Sequence, residues 1–234
     1  MPIVTSSGRQ SVETIHWVGW ADQDYIAARI LLLTGLIVQG SALASTAVEK
    51  YLKGVCKLAG IPCHVGHNVS KLNGLLHNRA IRLQLNSTFL KLLDKAYKLR
   101  YPDELAPGFN VALNSISILV ELDVTVDKIR RRFAFIENGK VVTTRFDHAV
   151  MNHSPELLAK NCVLGDASKE KLFSEPSWSY ELRVFPNGGI MEVSYVVEKL
   201  PDEDNFQRNA FTPISGSEGK SFNLAWLPKQ GTAS

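Results

Sequence analysis

The sequence holds little of what would place the chain outside a cell or across a membrane. Its three cysteines, Cys56, Cys63 and Cys162, are too few and too scattered for a disulfide framework. No signal peptide precedes them, which predicts reduced thiols and a cytoplasmic protein. The longest apolar run, 30–38, is interrupted by a threonine and a glycine and is too short to span a bilayer. We therefore expect no membrane partner.

Several signatures of catalysis and cofactor binding are also missing. The chain has no glycine-rich phosphate loop, no Gly-x-Ser-x-Gly nucleophile motif and no paired-aspartate signature of a nucleotidyltransferase. Cys63, His64 and His67 lie close together, but no second Cys/His pair follows at zinc-ligand spacing. The net charge of +3 over 234 residues is too small to indicate nucleic acid by itself. We predict neither a cofactor nor a metal.

The first half of the chain contains a series of amphipathic segments. Ser41 is the expected N-cap of the second of these, and Gly60 followed by Pro62 is its expected stop. The short connections predict an up-and-down bundle of four long helices and one short helix over 11–132. Apolar residues at three- and four-residue steps predict its helices over about 11–38, 41–60, 69–76, 87–99 and 109–132.

Charged residues lie beside the apolar stripe of the second helix. Glu49, Lys50 and Lys53 are next to this packed face, where an unpaired charge is costly. They form either a solvated surface group or the lining of a groove between helices. Asp24 in the first helix is either exposed or paired with Lys50 or Lys53, because the first two helices are expected to form an antiparallel hairpin.

Beyond residue 132 the helical periodicity gives way to alternation. Asn138-Gly139 between two apolar runs predicts a β-hairpin over 133–146, and 186–189 is the turn of a second hairpin over 180–197. The sequence therefore predicts an α+β chain in which a β-rich unit, 133–228, follows the helical bundle. Its remaining predicted elements are short helices over 155–161 and 168–173 and a strand over 222–227.

The densest basic cluster lies at the junction of these two halves. It comprises Lys128 and the arginines 130–132. Such a cluster can bind a phosphate backbone. Cations at a helix C-terminus more commonly complement the helix dipole.

The order and spacing of several motifs resemble one family. The second helix reads Ala-Ser-Thr-Ala-Val-Glu-Lys-Tyr-Leu-Lys over 44–53. The other motifs, in chain order, are Trp17, Asp24-Tyr25, Ala27-Ala28, Gly60, His67-Asn68, Leu72 and Arg100-Tyr101-Pro102-Asp103. Together they resemble the HEPN domain (higher eukaryotes and prokaryotes nucleotide-binding) over about 11–132.

This resemblance implies several functions. Many HEPN proteins are metal-independent ribonucleases or the toxin halves of toxin–antitoxin pairs, and others are nucleotide-binding partners of a small nucleotidyltransferase or non-catalytic modules. The ribonucleases carry an Arg, four to six residues and a His near the start of the last long helix. The His moves a proton and the Arg stabilises charge on the scissile phosphate. Here no histidine follows Arg100 at that spacing. Arg9 and His16 satisfy it at the front of the first helix, which we attribute to chance.

The resemblance and the missing motif together predict a module that binds nucleotide, RNA or a partner protein without catalysis. Arg100 can hold a phosphate through two hydrogen bonds, and Tyr101 can stack on a base. Alternatively, Arg100 pairs with Asp103 or Glu49 and closes the end of the bundle. The candidate ligand-binding residues are Glu49, Lys50, Lys53, Arg100, Tyr101 and Asp103.

The second hypothesis is an RNA-cleaving toxin or phage-defence ribonuclease with a non-standard active site. Its catalytic candidates are Arg100, Tyr101 and His67, with the histidine coming from His67 or from a second subunit. For either hypothesis the resemblance implies a homodimer formed through the helical bundle. It also implies a nucleotidyltransferase-type or antitoxin partner protein.

Overall fold

The computed structural model describes residues 8–137, 140–200 and 206. A single 3-10 turn, Pro102–Glu104, separates the first four helices from a strand and a fifth helix. The chain is α+β, as the sequence predicts. The elements of this first part are α1 (Arg9–Leu33), α2 (Ile37–Leu58), α3 (Val69–Asn78), α4 (Ser87–Lys98), β1 (Asn110–Asn114) and α5 (Ser115–Arg130).

The predicted boundary between the first two helices is wrong. α1 ends at Leu33 rather than near residue 38, since Gly35 adopts a left-handed backbone conformation with φ of 83° and turns the chain. α2 begins at Ile37, one turn before the predicted cap. Ser41 therefore lies buried inside α2 and donates a hydrogen bond to the Ile37 carbonyl at 2.7 Å. The predicted stop is confirmed, because Gly60, with φ of 67°, follows the last turn of α2.

α1 and α2 pack closely as the predicted antiparallel hairpin. Ala44 and Ala47 are fully buried, and Gly40 meets α1 at its tightest point. A Cβ atom added to Gly40 would lie 2.8 Å from Leu32 Cγ and 3.0 Å from the Leu32 backbone nitrogen. Small residues of α2 thus set the distance between the two helices.

The start of the predicted fifth helix is a strand instead. β1 pairs antiparallel with a strand of the second half, with Leu113 opposite Tyr180. Asn114 then ends the strand and begins α5, because its Oδ1 accepts hydrogen bonds from the backbone N–H groups of Ile116 and Ser117, both at 3.0 Å. The chain passes from strand to helix without a loop.

The second half confirms both short helices and the hairpin predicted over 180–197, which consists of β4 (Ser177–Val184) and β5 (Ile190–Val197). The sheet has the order β1-β4-β5, and Gly188, with φ of 82°, lies in the hairpin turn. The first predicted hairpin pairs only two residues on each side, and its turn at 138–139 lies outside the described residues, as does the predicted strand 222–227. The elements are β2 (Ile136–Glu137), β3 (Lys140–Val141), α6 (Arg145–Met151), α7 (Pro155–Leu158), α8 (Lys169–Phe173), β4 (Ser177–Val184) and β5 (Ile190–Val197).

α6 replaces the end of the first predicted hairpin. Thr144 and Asp147 form a capping box, in which the Asp147 carboxylate accepts from the Thr144 backbone N–H at 2.8 Å. This reciprocal cap satisfies the exposed N–H groups of the first turn. The sequence prediction extended the strand through Phe146, which is in fact helical.

One hydrophobic core joins the helices to elements of the second half. Its buried members include Leu52 of α2 and Leu119 of α5 together with Phe173 and Leu182 from beyond residue 132. β1, which precedes residue 132, pairs with β4, which follows it. The division of the chain at residue 132 stays a prediction.

Candidate functional site

The loop after α2 places His67 beside the predicted charged residues. Asn68 caps α3, with its Oδ1 accepting from the Lys71 backbone N–H at 2.7 Å. Asp94 of α4 accepts from the backbone N–H groups of Val69 at 2.7 Å and Ser70 at 3.3 Å. These bonds fasten the start of α3 to α4, and the residue just before the cap is His67.

Glu49 is the buried centre of this region. Its side chain is only 5% exposed, and a carboxylate so placed requires partners for its charge. One oxygen forms an ion pair with Lys53, and the other lies 2.9 Å from Nδ1 of His67. The His67 side chain is 59% exposed. Of the two alternatives left open by the sequence, Glu49 is a buried, paired group and not a solvated one.

A row of stacked side chains continues from His67. The His67 ring stacks on Tyr97 with 4.7 Å between centroids, and the Arg100 guanidinium lies 5.3 Å from the Tyr97 centroid. Arg100 also lies 5.8 Å from the ring centroid of Tyr101, which is 43% exposed. We call His67, Tyr97, Arg100 and Tyr101 the Arg100 cluster. Tyr97 is therefore held between a histidine and an arginine.

Tyr97 is the member of this cluster that sequence reasoning missed. It precedes Arg100 by three residues, a spacing that brings side chains together at the end of a helix. Loss of solvent raises the pKa of Tyr97, although the charge of Arg100 acts in the opposite direction. The hydroxyl is therefore protonated at neutral pH and the ring is a neutral stacking surface.

Arg100 does not close the bundle through an ion pair with a described residue. Within the described ranges, no carboxylate lies within ion-pair distance of its guanidinium. Glu49 is bound to Lys53 and His67, and Asp103 lies exposed in the 3-10 turn, outside the cluster. The guanidinium is held only by the tyrosine rings, which leave its hydrogen-bond donors open to solvent.

A surface groove adjoins the Arg100 cluster. Its volume is about 430 Å³. Lys50 Nζ binds Asp24 Oδ2 at 2.6 Å across the hairpin, which is the pairing that the sequence left open. Lys53 lies farther along, 5.4 Å above the Trp17 ring. The groove is lined by Asp24, Leu31, Gln39, Ala42, Leu43, Thr46, Lys50 and Arg100.

The other sequence candidates serve the fold. Arg9 pairs with Glu13 at 2.8 Å on the surface of α1. Among the described residues, no group of three His, Cys, Asp or Glu side chains could hold a metal ion. In the junction cluster, Arg131 pairs with Asp127 at 2.8 Å and Arg130 is bound to Asp22.

A buried polar network lies on the other side of α1, and the sequence did not predict it. Asp22 of α1 is fully buried. It accepts hydrogen bonds from Tyr51 and Arg130, and burial raises the pKa of Tyr51 well above its usual value, so the hydroxyl remains a donor. Arg29 forms a second buried ion pair with Asp123 of α5.

This network binds the second half of the chain to α1. Arg29 donates to the carbonyl oxygens of Glu156 and Ala159, and the Phe146 N–H donates to Asp22 at 3.1 Å. The signal in the sequence is the spacing of Asp22 and Arg29, which places both on the helical stripe of buried residues. Polar residues on such a stripe indicate buried partners.

Comparison with known families finds a match in the helical part of the chain. Residues 15–123 match the family model of the HEPN domain, so this N-terminal part of the chain is similar to that family. The matched segment contains Glu49, Arg100 and Tyr101. Domains of this family are known for nucleotide or RNA binding or for ribonuclease activity.

Neither the curated proteins nor the solved structures give a match to this chain. Among the residues that the structure describes, no helix combines the length and the apolar character needed to cross a membrane.

Proposed function

We propose that this HEPN-like domain binds the phosphate of a nucleotide or of RNA at the Arg100 cluster, without catalysis. The observation that carries the proposal is the placement of Arg100. This exposed cation, without a carboxylate partner among the described residues, is held over two tyrosine rings at the rim of a groove. An arginine paired with a carboxylate could not offer both donors of its fork to a phosphate.

The neighbouring side chains suit the rest of a nucleotide. Tyr101 presents an exposed ring on which a base can stack. Lys50 adds a second positive charge at the groove, and its ion pair with Asp24 holds it there. Arginine, lysine and an accessible aromatic ring form the usual combination for phosphate and base.

The proposal that the domain lacks catalysis is supported by the sequence. No histidine follows Arg100 at four to six residues, and α5 contains none. The groups that this family's ribonucleases use for proton transfer are therefore missing from their usual place.

Arg100→Ala tests this proposal. We expect at least a tenfold loss of affinity for the four nucleoside 5′-monophosphates or for a short RNA, because a hydrogen bond to a charged group contributes about 1.5–3 kcal/mol. Isothermal titration calorimetry measures the loss. Arg145→Ala removes an equally exposed arginine from the second half and should change nothing. Equal affinities of wild type and the Arg100 variant would overturn the proposal.

One observation favours the alternative of a ribonuclease with a non-standard active site, of toxin or phage-defence type. Glu49 binds Nδ1 of His67, which leaves Nε2 as the nitrogen that can exchange a proton. The same histidine stacks on the ring that supports Arg100. This shared contact supports a histidine from outside the usual motif as the partner of the arginine. Cleavage of RNA in a chelator, lost in both His67→Ala and Arg100→Ala, would establish this alternative.

We also infer that the protein is a homodimer through its helical bundle. The supporting observation is that α1 and the turn after it expose large apolar side chains, with Trp20 and Leu36 both 50% accessible. Exposed apolar side chains of this size are common at protein interfaces. Sedimentation analysis should give twice the chain mass for the wild type and the monomer mass for Trp20→Glu. A monomeric wild type would contradict the inference.

A further inference from the structure

The outer face of α4 carries an unbalanced row of positive charge. Lys91, Lys95 and Lys98 are all exposed and recur at four- and three-residue steps, so they lie on one face of the helix. The opposite face packs Phe89 and Leu93 into the core. We call these three lysines the α4 ridge.

The three lysines form no ion pair with a described carboxylate. Asp94 is the one acid in α4, and it is half-buried and accepts hydrogen bonds from the start of α3. Burial raises the pKa of Asp94, and the charge of Lys98 acts on it in the opposite direction. A solvated helix face usually mixes both signs of charge, which this face does not.

Positive charge continues at both ends of the ridge. Arg100 follows Lys98 after one intervening residue, at the C-terminal end of α4. In the connection that enters α4, the carbonyl oxygens of Arg82 and Gln84 accept hydrogen bonds from Arg132 at 3.0 Å and Lys128 at 2.9 Å. The junction cluster thus places Lys128 of α5, and Arg132 just after α5, beside the beginning of α4.

We propose that the α4 ridge binds the phosphodiester backbone of a single-stranded polynucleotide whose end occupies the Arg100 cluster. This inference rests on the function proposed above and restricts it to a polymer of nucleotides. A helix rises about 1.5 Å per residue, so Lys91 and Lys98 are about 10 Å apart along the axis. One mononucleotide held at Arg100 cannot engage all three lysines.

A polynucleotide fits this surface better than a membrane does. The exposed face of α4 consists of Ser87 and the three lysines and offers no apolar side chain for insertion between lipids. The aromatic rings lie at the end of the ridge, where they can stack on bases. Cations followed by accessible aromatic rings are the usual surface for single strands.

The test replaces the three ridge lysines with glutamine in the full-length chain. Glutamine keeps the helix propensity of lysine and removes its charge. The control removes the same number of exposed charges elsewhere, from Lys140, Lys171 and Lys199. Fluorescence anisotropy measures the binding of a labelled 12-nucleotide RNA from 50 to 200 mM salt. Calorimetry measures the affinity for the nucleoside monophosphates, and co-sedimentation tests binding to vesicles that contain anionic lipid.

We expect the ridge variant to bind the RNA about tenfold more weakly than the wild type. The slope of log K against log salt should become about 2 less steep, since each of the three lost phosphate contacts on a single strand contributes about 0.7. Its affinity for the monophosphates should equal that of the wild type, and the control variant should change RNA affinity less than twofold. An unchanged slope, RNA binding no tighter than that of the monophosphates, or binding to vesicles without RNA overturns the inference. If the wild type still binds the monophosphates and Arg100→Ala loses this binding, these outcomes overturn only the ridge inference and leave the proposed function standing. If the wild type binds no nucleotide at all, both proposals are wrong.

Discussion

At the scale of the residue, the most demanding placement is that of Arg29 and Asp123, whose side chains are both fully buried. Each charge is compensated only by the other and by a few hydrogen bonds, among them one from the Tyr25 hydroxyl at 2.7 Å. Burial raises the pKa of Tyr25 well above its usual value, so this hydroxyl donates over the whole physiological range. Removing one partner leaves the other as an unpaired charge in the core.

Asp123→Ala tests the energetic importance of this pair. We expect a loss of about 3–5 kcal/mol in the free energy of unfolding, because Arg29 would remain buried without its counter-ion. Asp127→Ala, four residues along α5, removes the partner of the exposed Arg131 and should cost less than about 1 kcal/mol. Urea denaturation of both variants gives the comparison. Similar losses in the two would show that the buried pair has no special role.

Tyr97 offers a residue-scale test of how Arg100 is positioned. Tyr97→Leu removes the ring beneath the guanidinium and should weaken nucleotide binding about two- to fivefold, as expected for an exposed cation–π contact. Tyr97→Phe keeps the ring and should bind like the wild type. Calorimetry on both variants separates the ring from the hydroxyl, and a loss in the phenylalanine variant would contradict this account.

Residue-scale prediction from the sequence succeeded where the signal was local. Asp24 was assigned a possible cross-hairpin partner, because a helical hairpin limits which residues can meet. The burial of Asp22 was not predicted, since an aspartate is usually exposed and its partners, Tyr51 and Arg130, are distant in sequence. A buried polar network depends on several elements at once, so periodicity in one helix does not reveal its partners.

At the scale of the element, the closeness of α1 and α2 depends on glycine. Gly40→Ala places a Cβ atom 2.8 Å from Leu32 Cγ, and we expect a loss of about 1–3 kcal/mol from overpacking. Gly19→Ala is the matched control within α1, where no atom lies within 4 Å of the added Cβ. It should stabilise the protein by about 0.5–1 kcal/mol, because glycine is unfavourable inside a helix. Thermal unfolding should therefore shift in opposite directions, and a shift of the same sign in both variants would refute this reading of the contact.

Element prediction failed at two places for different reasons. The apolar pattern of α1 continues past Gly35, and only the left-handed conformation of this glycine ends the helix. In 110–114 the short sequence fits a strand or a helix equally well, and pairing with β4 decides the outcome. The β4–β5 hairpin was predicted well, since its turn and its alternating strands are both local signals.

At the scale of the whole molecule, one core and one polar network join the two halves. Because β1 pairs with β4 and Arg29 binds the carbonyl oxygens of Glu156 and Ala159, we expect the full chain to unfold in a single transition. Circular dichroism at 222 nm and tryptophan fluorescence should give the same urea midpoint. Two separate midpoints would instead indicate independently stable halves.

The candidate site was predictable in composition and not in arrangement. Arg100, Tyr101, Glu49 and His67 could be named from the sequence as candidates, since all four belong to the motifs that resemble the HEPN family. Their order in space follows from the cap of α3 and its bonds to Asp94, which no local pattern reveals. The structure adds Tyr97, whose ring contacts both His67 and Arg100.

The measurement that tests the central claim most directly is the fate of a labelled RNA mixed with purified protein in a chelator. Binding and integrity of the RNA are followed in the same samples for wild type, Arg100→Ala and His67→Ala. We predict that the wild type binds the RNA and leaves it intact and that the arginine variant binds it at least tenfold more weakly. Cleavage by the wild type that either variant loses would contradict the claim and establish a ribonuclease.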